Sequence, residues 1–163
     1  VSGDRPTRHR SAARVLVVAD GRVLLQEDSD PGVAGFTWWV TPGGGIDAGE
    51  DAVAAAVREL WEETGLDATL DELRGPVAHR LVRHGYSDRV LIQQETFFRI
   101  DVEPFAPRPA GLTATERQRM RGHRWFDVDA LPAIVWPSVL PRLLDWDGGP
   151  AIELGRMDES TVA

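Results

Sequence analysis

The sequence contains no cysteine, which excludes disulfides, thiolate catalysis and any zinc or iron–sulfur site held by Cys. Long apolar runs are missing too. The longest near the start, residues 15–19, is far too short to span a bilayer and follows a polar, arginine-bearing lead without a cleavage-site pattern. Positive charge is in the minority, with 18 basic against 26 acidic residues and a net charge of -8. Long-range electrostatics therefore favour neither a nucleic-acid backbone nor an anionic membrane. An anionic substrate would need local help from a metal or from clustered arginines. What is present, 163 residues of which 42% are hydrophobic and 27% charged, suits one soluble domain with a sizeable core, read here as cytoplasmic.

Residues 1–10 are polar and hold Pro6, so they read as a flexible arm; 11–147 read as the single folded domain and 148–163 as a tail. Runs 14–19 and 22–26 flank Asp20-Gly21, a pair that tolerates positive φ at both positions and predicts a tight hairpin. A loop with Pro31, Gly32 and Gly35 precedes the short apolar run 36–40. The longest helical pattern starts near Glu50, where Asp47 and Glu50 have capping-box spacing, and stops at Gly65. Residues 77–82 and 90–100 read as strands joined by a turn at 84–88. After the proline-rich link 104–109 come a short helix at 113–120, a last strand at Trp125-Phe126, a helical turn at 127–131 and a final helix at 138–146. Strands on both sides of a long helix, with another helix late in the chain, predict an α/β fold whose mixed sheet is covered on both faces.

On the long helix, Glu59, Glu62 and Glu63 stand at i, i+3 and i+4, so their carboxylates leave one face together. Val53, Val57 and Leu60 fall on the opposing side and can anchor the helix to the sheet. Like charges so spaced oppose the helix by roughly 0.2–0.5 kcal/mol per pair and raise one another's pKa. A cation reverses that penalty. Hard divalent ions such as Mg²⁺ take oxygen ligands and keep waters and phosphate oxygens in their shell, so three carboxylates on a rigid face supply half of such a site. The glycines at 43–45 let the backbone bend and bring a main-chain carbonyl towards the cluster, while Arg58 can orient a carboxylate. Taken alone, an acidic helix face is more often simply solvated, with Arg58 paired to Glu62.

The surrounding residues overturn that reading. Gly44, Glu50, Arg58, Glu59, Leu60, Glu62, Glu63, Gly65 and Leu66 fill every defined position of the Nudix box, and the chain is similar to the MutT-like Nudix hydrolases from about Ala13 to Leu131. The resemblance implies the Nudix fold, an α/β/α sandwich with a mixed β-sheet. It also implies hydrolysis, dependent on Mg²⁺ with Mn²⁺ as the alternative, of a phosphoanhydride bond in a nucleoside diphosphate linked to another moiety. By position it implies metal ligation by the Gly44 carbonyl, Glu59, Glu62 and Glu63, orientation of the general base Glu59 by Arg58, and a structural part for Glu50. A non-catalytic Nudix-fold module that binds or senses a nucleotide is the alternative function. The expected partner is a small nucleotide-type substrate, with no nucleic acid and no membrane; homodimer formation is left open.

Outside the box, Glu116 is the first candidate for a further acidic ligand or base and Glu95 the second. Arg80, Arg83, Tyr86 and Arg89 cluster around one hairpin, where they can clamp phosphate, stack on a base or form an exposed basic edge. Trp38 is either a core residue or a stacking wall for a nucleobase; Trp39 reads as core. His79, His84 and His123 show no metal-ligand spacing. Many MutT-like members carry an arginine for phosphate at the end of the second strand, where this chain has Gln26-Glu27, so another cation must serve or the substrate sits differently.

Overall fold

The computed structural model describes residues 4–163. Residues 1–3 of the expected arm lie outside that range. Two long strands, β1 (Thr7–Ala19) and β2 (Arg22–Ser29), meet at the predicted hairpin, where Asp20 and Gly21 take φ of 48° and 74°. Then follow β3 (Thr37–Val40), β4 (Gly43–Gly45), helix α1 (Ala52–Thr64), and β5 (Arg74–Gly85) with β6 (Val90–Asp101). The chain continues with α2 (Ala114–Arg119), β7 (Gly122–Asp127), β8 (Val135–Trp136), α3 (Leu140–Leu144) and β9 (Ile152–Asp158). The sheet runs β8-β3-β2-β1-β6-β5-β9, with β4 on β1 and β7 on β2. It is mixed, as expected: β1 lies parallel to β6, and β5 antiparallel to β6.

Alternation along β1 feeds two cores. Ala13, Val15 and Val17 face α1 and pack with Ala55, Ala56 and Leu60, whereas Leu16 and Val18 face α3 and pack with Leu140 and Leu143. One strand thus carries a helix on each face. Fully burying a side chain such as Leu60 contributes about 1.5–3 kcal/mol. Val53 packs only at the margin of that core and Val57 is half-buried, so Ala56 and Leu60 anchor the helix in place of the expected valine pair. Gly65 ends α1 in the left-handed conformation, φ 75°.

Several expectations need correction. The supposed arm is strand from Thr7 onward, because the polar side chains of residues 7–10 accompany a backbone paired to β6 from Val90 to Gln93. The supposed tail contains β9, laid parallel on β5. Asp51 caps α1, accepting from the Ala54 N–H at 2.8 Å; Glu50 instead accepts from the Asp47 N–H within the preceding loop. Residues 128–130 form a turn with no helix, α3 is shorter than predicted, and the Trp125 strand is followed by two more. No helix among the described residues is long and apolar enough to cross a membrane.

Candidate active site

A cleft of about 550 Å³ opens beside the α1 face that bears the carboxylates. Glu59 and Glu63 are buried at its wall, 5% and 4% exposed, since they stand one turn apart on the same side as Ala55, Ala56 and Leu60. Arg58 organises the wall. It donates to both oxygens of Glu50 at 2.9 Å, to Glu59 Oε1 at 2.9 Å, to Glu62 Oε2 at 3.2 Å and to the Gly45 carbonyl at 2.8 Å. That grip holds the Glu50 carboxyl down to about 2.

β4 closes against the same cluster. The Gly43 N–H donates to Glu63 Oε2 at 2.8 Å, and a Cβ on Gly44 would stand 2.6 Å from Glu59 Oε1, so only glycine permits this approach. The link after β6 brings in the remaining carboxylate. The N–H groups of Arg108, Ala110 and Gly111 donate to the last carbonyls of α1, at Thr64 and Glu62, which caps the helix and docks the link beside it. Thr113 and Glu116 then form a reciprocal capping box that starts α2. Glu116 thereby joins Glu59 and Glu63, with one oxygen from each lying within 4.8 Å of the others. Glu62 stays in the wall with its carboxylate turned to Arg58.

Burial and the charge of Glu59 push Glu63 up to about 8, against the pull of Arg14 and the Gly43 N–H. Burial likewise raises Glu59, with Arg58 opposing. The Oε2 of Glu59 is buried without a hydrogen-bond partner among the described residues. Hard oxygen donors, an orphaned buried carboxylate oxygen and a backbone cradle that excludes a Cβ together fit a divalent cation.

The cations facing the cleft are Arg10 and Arg14 from β1, Arg89 from the β5–β6 turn and Arg119 from α2, together with Arg58. Arg10 and Arg14 gave no signal in the sequence, because isolated arginines on a strand acquire a role only when β4 and β6 close around β1. Tyr86 also lines the cleft, with the Arg89 and Arg119 guanidinium groups 4.7 and 5.0 Å from its ring centroid. Asp28 beside them is raised by burial.

Three expected substrate contacts stand elsewhere. Trp38 is 1% exposed and packs on Trp136 at 4.5 Å beneath the cleft, so bulk and burial assign it to the core. Arg80 is locked between Glu95 at 2.6 Å and Glu159 at 2.8 Å, and Arg83 turns to Asp158 at 3.1 Å. Glu95, second choice as a site carboxylate, is equally committed: burial works to raise it, but Arg14 and Arg80 bring it down to about 2.

Comparisons with known proteins bear on this arrangement. The model of the NUDIX domain matches residues 7–147. An RNA pyrophosphohydrolase of Sphingopyxis alaskensis is 29% identical over 156 residues, covering 88% of this chain and 95% of that protein. Another, of Roseobacter denitrificans, is 44% identical over 59 residues, 36% of this chain and only 35% of that protein. The crystal structure of a mutator MutT protein from Bacillus halodurans superposes with a TM-score of 0.63 at 17% identity, covering 93% of this chain and 91% of that one.

Proposed function

This chain belongs to the NUDIX domain family, and we propose that it is a hydrolase of pyrophosphate bonds that uses Mg²⁺, or Mn²⁺ in its place, to split a phosphoanhydride bond in a nucleoside diphosphate linked to another moiety. The observation that carries this reading is the convergence of Glu59, Glu63 and Glu116 on one point, beside a cleft that also holds arginines. A divalent cation there would neutralise diphosphate oxygens and lower the pKa of the attacking water.

The chain's own residues do the rest. Arg58 fixes Glu59 by one oxygen and leaves the unpartnered Oε2 to accept a proton from water; Glu116 is the second group able to do so. Arg10, Arg14, Arg89 and Arg119 offer guanidinium N–H groups to the phosphate oxygens. The 5′-triphosphate end of a short RNA is a second reading, favoured by the names of the relatives; the net charge of -8 works against a longer RNA.

The test is a panel of nucleoside triphosphates, nucleotide sugars, ADP-ribose, dinucleoside polyphosphates and a triphosphorylated oligonucleotide, read by mass spectrometry in ¹⁸O-water with Mg²⁺ or EDTA. Cleavage between two phosphorus atoms, lost in EDTA, is expected. Nucleotide binding with no product over hours would contradict it and favour a non-catalytic module.

A further inference from the structure

Gln26 and Asp28 stand two residues apart on β2 and so share one face of it, opposite Val40 and Trp38 of β3. Both line the cleft beyond the acidic cluster. Gln26 is 5% exposed, and its Oε1 is buried with no hydrogen-bond partner among the described residues. A buried amide oxygen left unpaired is costly, so a group that pairs with it in another state is to be expected. Asp28 takes the Ser29 N–H on Oδ1 at 2.9 Å, which leaves Oδ2 for the cleft that the side chain lines.

These two side chains do not suit phosphate. A carboxylate and an amide oxygen repel it, and the arginines and the cation site already provide for it. They suit instead a group that presents hydrogen-bond donors. Val40, Leu91 and Met120 line the same cleft, and the guanidinium groups over Tyr86 give it a flat cationic surface. Apolar side chains and guanidinium planes accept a planar heterocycle.

We infer that Gln26 and Asp28 form a nucleobase-reading subsite that selects guanine. Among the common bases only guanine places two adjacent donors, N1–H and the 2-amino group, beside an acceptor, O6. The Asp28 Oδ2 takes the 2-amino group and the buried Gln26 Oε1 takes N1–H, which gives that oxygen the partner it lacks. Adenine would set its N1 lone pair against the Gln26 oxygen, and uracil its O2 against Asp28. The inference rests on the hydrolase reading for which end of the cleft takes the phosphates, yet the two fail separately.

The experiment is calorimetric titration of the full chain, at constant Mg²⁺, with GMP, IMP and AMP, which carry the same sugar phosphate and have no anhydride to cleave. GMP should bind about tenfold more tightly than IMP, which lacks only the 2-amino group, and more tightly still than AMP. Asp28→Asn replaces an acceptor with a donor and should shrink the GMP advantage over IMP to about twofold or less. Gln26→Ala should narrow the gap between GMP and AMP. Equal affinities in the wild-type chain, no binding of GMP at millimolar concentration, or a preference undiminished in Asp28→Asn would each overturn the inference. The GMP–IMP comparison needs no variant, so a misfolded mutant leaves it decisive. Base preference without pyrophosphate hydrolysis would support the subsite while removing the hydrolase reading.

Discussion

Arg58 hydrogen-bonds three carboxylates and one carbonyl, so a single planar fork sets the geometry of the whole α1 wall. All 18 basic side chains of the chain are arginine, and several are used in this bidentate or bridging manner. Glu59 and Glu63 differ from ordinary buried acids in having too few partners for their charge. Replacing either with glutamine keeps the shape and removes the charge. Glu59→Gln and Glu63→Gln should therefore lose about 10²–10⁴-fold in kcat with Mg²⁺ while keeping the wild-type circular dichroism spectrum; near-normal turnover in both would refute the assignment. Glu95 is the opposite case. It is 1% exposed and holds Arg14 and Arg80 together, so Glu95→Gln leaves two buried guanidinium groups short of a counter-charge. A loss of about 3–5 kcal/mol in urea unfolding is expected, and an unchanged midpoint would contradict it.

Elements legible in the sequence are those specified locally. The Asp20-Gly21 turn, the left-handed stop at Gly65 and the Thr113 start of α2 each depend on a few neighbouring residues, and the box fixes the acidic face of α1. What escaped depends on distant pairing. Residues 7–10 look like an arm until β6 lies beside them, and β9 looks like a tail until β5 offers its edge. The same holds for Arg80 and Arg83, whose facing side was set by packing across strands, while for Trp38 burial against Trp136 selects the core alternative. β9 and the segment after it also brace the cleft wall. Glu159 bonds Arg80, takes the Ser138 N–H at 2.7 Å and offers its carbonyl to His84, while Thr161 and Ser87 share Asp30 below the β5–β6 turn. Deleting 148–163, which lies beyond the family match, should lower the urea midpoint by the equivalent of roughly 3–5 kcal/mol through the broken Arg80–Glu159 pair. A deletion variant as stable as the parent would show that this strand is dispensable.

At the scale of the molecule, two helices on opposite faces hold a curled mixed sheet, and the cleft joins an acidic end on α1 to a basic and aromatic end at the β5–β6 turn. The acidic end couples stability to pH. A carboxyl raised to about 8 in the folded chain, from an ordinary 4.5, holds its proton more tightly folded than unfolded. Its contribution to stability is present below pH 4.5 and is lost as pH rises towards 8. The proposed Mg²⁺ would bind the ionised form and offset that loss, so added Mg²⁺ should raise Tm more at pH 8 than at pH 6. A Tm increment independent of pH would argue against the cation lying at Glu63. The most direct measurement is a crystal structure grown with Mg²⁺ and a non-hydrolysable diphosphate analogue. Mg²⁺ is expected between Glu59, Glu63 and Glu116, with diphosphate oxygens completing its shell. Ordered analogue bound elsewhere, with these three carboxylates free of metal, would contradict it.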